Sequence, residues 1–388
     1  MDFAKREIER GPPSDRKTLR ETELITTTDR LEQVAAHLLH TDAIAVDTEF
    51  FWERTFYPIL GLVQLATRDN ECWLVDTVRI PNIGALGPVL ASPTIVKVLH
   101  DAPQDLGILA RATGAWPRRI FDTRLAAGFA NFDSTCSLQA LVRQALNIEL
   151  SKNETRSDWL RRPLSANQVR YAAADVLYLL PLREKLLARC ASDAVRAWLC
   201  QDLTRLDDSS TSQGRDPQLM YLRVKGCSRL NARQLAILRE LAAWREEEAR
   251  ARDWPRGHFL TDNALVALAA IAPFNRNTLA NVPDVPDRMP DAVRDHLLTA
   301  VARGLSVPDA ACPQPATAGL SSRRTIKAQS DRLLAHIQSA CSVHQIDSAL
   351  VASRADADSF VEQLAVGSVA THPLSRGWRK QFVAAFAL

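Results

Sequence analysis

Residues 43–50 read AIAVDTEF, and this stretch decides the fold class. It has the length and composition of a strand, and two more strand candidates follow it closely, LGLVQLAT (60–67) and ECWLVDT (71–77). Arg68-Asp69-Asn70 between those two is a turn signal, so they are expected to pair as a hairpin. A fourth candidate, IVKVLH (95–100), lies further on, and ELITT (23–27) precedes the group. Between ELITT and AIAVDTEF a helix is expected to start at Thr28 or Asp29, with Leu31, Val34, Ala35 and Leu38 on one face. From about 103 to 208 the pattern is almost entirely helical: Leu106/Leu109, Leu125–Phe129, Leu138–Ala145, and a strong run from Ala166 to Arg189. Strands early and helices late predict an α/β domain, a mixed sheet covered by helices.

The bulk numbers set the frame. A chain of 388 residues is too long for one ordinary core and suggests two to three domains. Hydrophobic content of 46% with 24% charged residues describes a soluble globular protein. A formal charge of +3 permits a nucleic-acid partner without requiring one. The seven cysteines, at 72, 136, 190, 200, 227, 312 and 341, never fall in a CxxC pair, which argues for a reducing compartment and against a disulfide framework or a structural zinc. The charged start MDFAKREIERGPPSDRK has no apolar h-region. No run of about 18 apolar residues occurs. A cytoplasmic, monomeric protein without a membrane segment is the expectation.

Residues 1–22 read as a polar arm and 23–208 as the α/β domain. DDSSTSQGRD (207–216) is a polar linker by composition. A helical module is expected over 215–292, where Asn231 is placed to cap a long helix carrying Leu235, Leu238, Leu241 and Arg245. SVPDAACPQPATAG (306–319) is a second linker, inside a remainder (293–388) read as linker plus another small helical domain. Between Arg223 and Arg256 there are nine Lys/Arg against five Asp/Glu, an excess that suits either a phosphate backbone or a solvated helix.

The chemistry sits in three segments. In VDTEF, Asp47 and Glu49 are two apart on a strand and project from the same face. Two anions held together there need a positive partner, and hard oxygen ligands suit Mg²⁺ or Mn²⁺. A solvated strand end, or a glycosidase-type carboxylate pair, would use the same two residues. In HDAPQDLGIL (100–109) two aspartates compete. Asp101 stands two residues before Pro103 and suits helix entry, whereas Asp105 falls in the first helical turn and is the favoured ligand. In QVRYAAADVLYLL (168–180), Tyr171 and Asp175 are four apart on nearly one helical face, with Val169, Ala172, Val176 and Leu179 spaced to bury another. An ordinary core tyrosine would also explain Tyr171. Asp122 is expected to cap the helix that starts at Thr123, Asp158 to serve a turn before Pro163, and His100 to be structural.

Together these segments resemble the motifs of the Asp-Glu-Asp-Asp exonuclease superfamily in its tyrosine-containing branch: DTEF, then H-x4-D-L, then Y-x3-D-x-x-Y-L. Within it the similarity is to the ribonuclease D family, carried also by RTFYPILGLVQLA (54–66), FDTRLAAGF (121–129) and the K-x3-R-S-D-W stretch from Lys152 to Trp159. The stretch 230–269 resembles the helicase-and-RNase-D C-terminal (HRDC) domain, and HPLSRGWRKQFVAAF (372–386) resembles the close of a second such module. The resemblance implies a ribonuclease H-like domain followed by two small all-α HRDC-type domains. It further implies two divalent ions (Mg or Mn), with Asp47 bridging them, Glu49 and Asp175 completing one shell, Asp105 holding the other ion through water, and Tyr171 orienting the attacking water. The implied activity is a 3′-to-5′ exoribonuclease that releases 5′-mononucleotides from structured RNA, tRNA precursors above all. Phe50 points to the face opposite Glu49 on an ideal strand, a core-packing position, and is a candidate wedge against the terminal base if the strand ends there; Lys152 and Arg156 are candidate phosphate contacts or part of a solvated face. A DNA exonuclease on the same scaffold and a non-catalytic RNA-binding scaffold are the alternatives.

Overall fold

Six strands form one mixed sheet in the order β1-β4-β3-β2-β5-β6. They are β1 (Thr22–Ile25), β2 (Ala43–Phe51), β3 (Ile59–Ala66), β4 (Cys72–Asp76), β5 (Val96–Leu99) and β6 (Ile120–Asp122). β3 and β4 are antiparallel, as the turn signal between them required, whereas β1 runs parallel to β4, β2 to β5 and β5 to β6. This computed structural model describes residues 22–151, 154, 157–209, 216–315, 320–365, 367 and 369–386, so the polar arm before Thr22, Lys152 and Arg156 all lie outside the described residues.

The chain divides into two units. The described residues of the first fall within Met1–Phe51, Leu60–Gln213 and Leu320–Leu388, and those of the second within Trp52–Ile59 and Gly214–Gly319. In the first unit both sheet faces are packed. Along β2, Ala43 and Ala45 enter one core and Ile44 and Val46 the other, and along β3 Leu62 and Ala66 alternate in the same way with Val63 and Leu65. The second of these cores is covered by α1 (Thr28–Leu38), α2 (Gly87–Ala91) and α3 (Pro103–Thr113), through Leu31, Leu90, Leu106 and their neighbours. The first core is covered by α4 (Thr123–Phe129), α5 (Leu138–Leu146), α6 (Ala166–Leu177), α7 (Leu179–Arg189) and α8 (Asp193–Thr204).

Two details depart from the sequence pattern. The segment read as wholly helical contains β6, whose three residues Ile-Phe-Asp are too few to show alternation. The run expected from Ala166 to Arg189 is broken at Tyr178 into α6 and α7.

In the second unit the long helix is α9 (Ala232–Arg252), opened by a capping box in which Asn231 and Gln234 exchange side-chain and backbone bonds. It packs with α10 (Arg256–Phe259), α11 (Asp262–Ile271), α12 (Arg276–Ala280) and α13 (Asp291–Ser306). At Gly304 of α13 a Cβ would lie 2.4 Å from the Ile237 Cα, so this crossing demands glycine. Trp52–Ile59 belongs here too: the Tyr57 N–H donates to Asp253 Oδ1 at 2.8 Å, and the Arg256 guanidinium stands 4.5 Å over the Phe56 ring. The expected boundary between 292 and 293 cuts α13, because the helix that completes this core continues to Ser306.

The C-terminal segment, expected as a separate helical domain, is part of the first unit. From α14 (Leu320–His344) and α15 (Arg354–Ala365), Leu333, Ile337, Cys341 and Phe360 join the core that holds Phe129 and Trp198. Trp378 stacks on Trp198 at 5.5 Å and meets Phe129 edge-on at 5.3 Å. Arg379 forms two bonds to the buried Asp202 carboxylate at 2.9 and 2.8 Å. Helical spacing reports that a helix has an apolar face and says nothing of which core that face completes. Among the described residues no helix is long and apolar enough to cross a membrane.

Candidate active site

The alternation that packs β2 also sorts its polar end. Asp47 and Glu49 continue the row of Ala43 and Ala45, toward the face covered by α6, while Thr48 continues the row of Ile44 and Val46, toward α3. On α6, started by a capping box between Ser165 and Gln168, Ala172, Ala173 and Val176 are buried in the core and Asp175 is buried beside them. The result is a cluster: carboxylate oxygens of Asp47, Glu49 and Asp175 all lie within 4.8 Å of one another.

Tyr171 lies one turn before Asp175 and hydrogen-bonds its carboxylate. The ring of Tyr171 is tilted against the buried Trp159 indole, with centroids 6.0 Å apart. That tryptophan is held by the 158–163 turn, where Arg162 donates to the Trp159 carbonyl (2.8 Å), the Gly61 carbonyl (2.7 Å) and the buried Asp76 carboxylate (2.7 Å). Asp158 accepts the Leu160 N–H within this turn.

Asp105 is outside the group of three but adjoins it through β2: the Thr48 hydroxyl donates to Asp105 Oδ1. Its competitor Asp101 differs on every count. Asp101 has a left-handed backbone (φ 61), an exposed side chain, and an ion pair with Arg124, whereas Asp105 is buried and only 8% exposed. His100 contacts the Thr123 hydroxyl (3.0 Å) and the Cys136 carbonyl (3.2 Å), a structural setting. Phe50 is half-buried on β2 next to Glu49.

The electrostatics of this cluster are one-sided. Among the described residues none of the four carboxylates forms an ion pair. Burial, then the charges of Asp105, Asp175 and Glu49, push Asp47 well above the usual carboxylate range. Burial and the charges of Asp175 and Asp105 raise Glu49 to about 9. Burial raises Asp105 to about 7 against the opposing Thr48 hydrogen bond, and raises Asp175 to about 7 against the opposing Tyr171 bond. Four crowded oxygen-donor groups that all resist ionisation fit a hard divalent cation, which would supply the missing positive charge.

Two contributions had no signal in the sequence, the bond from Thr48 to Asp105 and a second role of Asp122. Thr48 was hidden between two acids, and only strand alternation aimed at α3 reveals its partner. Asp122 caps α4, as expected, accepting from Arg124 N (2.8 Å) and Leu125 N (3.2 Å), but it also binds backbone N–H groups of the turn before α3.

The fold and cluster have counterparts in known proteins. Residues 22–190 match the model of a 3′-5′ exonuclease family, and residues 234–301 match the HRDC domain. The chain is 38% identical over 369 residues to ribonuclease D of Desulfotalea psychrophila, covering 95% of this chain and 98% of the relative. The crystal structure of Escherichia coli RNase D, described as an exoribonuclease involved in structured RNA processing, superposes with a TM-score of 0.77 at 30% identity, over 94% of this chain and 96% of that one. The catalytic core of RRP6 from Trypanosoma brucei gives 0.55 at 26% identity, over 78% and 88%. Exonucleases of this ribonuclease H-like fold use divalent metal ions, in keeping with the acidic cluster. An exonuclease sheet with its acidic cluster, an HRDC domain, and similarity along nearly the whole length lead to one assignment: the chain belongs to the ribonuclease D family of 3′-5′ exoribonucleases.

Proposed function

We propose that the chain trims the 3′ ends of structured RNA, tRNA precursors among them, by metal-dependent hydrolysis that releases 5′-mononucleotides. The observation that carries the reading is the convergence of Asp47, Glu49 and Asp175 within 4.8 Å, with Tyr171 bonded to Asp175 and Asp105 bonded to Thr48. Asp47, Glu49 and Asp175 would hold one divalent ion, and Asp47 with Asp105, the latter through bound water, would hold a second. Mg²⁺ or Mn²⁺ bound there would supply a positive charge that lowers the pKa of a coordinated water and stabilises the leaving 3′-oxygen. Tyr171, kept in place by Trp159 and Asp175, orients the attacking water toward the terminal phosphodiester. Asp175 in turn fixes the Tyr171 hydroxyl through their shared hydrogen bond. Lys152 and Arg156, which lie outside the described residues, contact the scissile or adjacent phosphate.

The test uses tRNA with extra 3′ nucleotides, labelled at its 5′ end, beside a matched single-stranded DNA, with Mg²⁺ or Mn²⁺. Stepwise shortening of RNA that EDTA and Asp175→Asn both abolish is the expected result. A 3′-phosphate block should stop it. Cleavage undiminished by Asp47→Ala would sink the proposal, and equal shortening of the DNA would move the substrate class away from RNA.

A further inference from the structure

We propose that Asp122 is a positioning residue for Asp105, acting through the turn that launches α3; the proposal rests on the reading of Asp105 as a metal ligand. Asp122 is the last residue of β6, paired in parallel register with Leu99 at the end of β5, and it is buried. Its Oδ1 accepts from Arg124 N (2.8 Å), Leu125 N (3.2 Å) and Asp101 N (3.1 Å), and its Oδ2 accepts from Ala102 N (2.9 Å). The first two bonds are an ordinary helix cap for α4. The other two are of no use to α4. Their donors belong to the turn between β5 and α3, three and four residues before Asp105.

That turn has no cap of its own. The residue preceding α3 is Ala102, which has no side-chain acceptor, and Pro103 follows it. Asp101 is in the left-handed region at φ 61, and its carboxylate is turned outward to Arg124. A helix entry of this kind leaves backbone donors that need an acceptor from elsewhere, and the acceptor is a carboxylate twenty residues along the chain. The Asp101–Arg124 pair is a second tie, but it is largely exposed and such pairs are weak. The path from Asp122 to Asp105 is therefore short: one carboxylate, two backbone bonds, and less than one turn of helix. Asp105 in turn meets the Thr48 hydroxyl between Asp47 and Glu49, so a displaced α3 entry breaks the fourth carboxylate from the other three.

Asp122→Ser separates the two roles. A serine oxygen reaches the α4 N–H groups as an N-cap but is too short for Asp101 and Ala102. Binding of Mn²⁺ to the full chain without RNA, read by electron paramagnetic resonance of the free ion, is measured alongside thermal unfolding. We expect the weaker Mn²⁺ site of Asp122→Ser to lose about tenfold in affinity, as groups just outside a metal's ligands commonly cost. Asp202→Asn, which damages the ion pair with Arg379 in the same unit without touching the turn before α3, should leave Mn²⁺ binding unchanged. Should Asp122→Ser not fold, Asp122→Asn replaces it, since Nδ2 would face the Ala102 N–H. A folded Asp122 variant with Mn²⁺ affinity equal to the parent chain overturns the proposal, as does an equal loss in Asp202→Asn. Asp105→Asn keeps the two readings apart: if it leaves Mn²⁺ binding intact, Asp105 is not a ligand, whereas a loss in Asp105→Asn without one in the Asp122 variant defeats only the positioning role.

Discussion

Loading the acidic cluster with Mg²⁺ or Mn²⁺ at pH 7 should expel about two or more protons per chain, a figure that follows from Glu49, Asp105 and Asp175. Glu49, raised to about 9, is almost wholly protonated at pH 7 and yields about one proton on binding a cation. Asp105 and Asp175, each raised to about 7, yield about half a proton apiece. Asp47 is pushed the same way, well above the usual carboxylate range, so any proton it carries adds to that count. The apparent affinity should therefore climb by about two or more log units per pH unit near neutrality and flatten as pH passes the range of Glu49, about 9. Without the cation the sign for folding is the reverse. Each group has a raised folded pKa, so its contribution to stability is complete below pH ~4 and is lost as pH rises through about 7 for the two aspartates and about 9 for Glu49. Calorimetric titration of MgCl2 or MnCl2 in buffers of different ionisation enthalpy at one pH reads the proton count directly. Glu49→Gln should lower it by about one and Asp175→Asn by about one half. A release below about half a proton at pH 7 would refute the reasoning, since the carboxylates would then already be ionised and paired with another cation.

Further outcomes can be checked by standard means. Thr48→Val removes the hydroxyl on Asp105, so the Asp105 pKa should rise above about 7 and Mn²⁺ affinity should fall about tenfold; carboxyl titration by NMR unchanged from the parent would contradict this. Gly61→Ala would set a Cβ 2.6 Å from the Trp159 carbonyl oxygen, costing about 1–3 kcal/mol and loosening the support of Tyr171. Denaturant melts should show that loss together with a lower turnover. Asp202→Ala strands the Arg379 guanidinium and should cost about 3–5 kcal/mol, whereas Asp202→Leu combined with Arg379→Met should restore most of it; a double variant no better than Asp202→Ala would argue that the pair has no such role. Lys97, buried and bonded to the Ser92 and Ile95 carbonyls, has its pKa lowered by burial to about 8. The unfolded chain then binds the extra proton between pH 8 and 10.5, so the parent should gain stability relative to Lys97→Met across that window. A stability difference flat with pH would exclude it.

Much of the acidic face was legible in the chain because it rests on local periodicity. Asp47 and Glu49 two apart on a strand share a face, and Tyr171 and Asp175 four apart on a helix share another, whatever surrounds them. The hairpin of β3 and β4, the Asn231 cap and the helix over Thr28–Leu38 are local in the same sense. The choice between Asp101 and Asp105 was only partly local. Helical position favoured Asp105, but its burial and its bond to Thr48 depend on which strand end α3 meets.

The chain by itself determined which residues share a face, where most helices begin, and what kind of chemistry four carboxylates and a tyrosine can support. Tertiary structure alone decided which faces meet. It placed β6 at the sheet edge, where Asp122 serves two helices at once, and it put Trp378 and Arg379 into a core built by Phe129, Trp198 and Asp202. The physical reason is one of range. Dihedral preference and side-chain period act over a few residues, whereas a hydrogen bond from residue 379 to 202, or from 102 to 122, is specified only once the chain between has been packed.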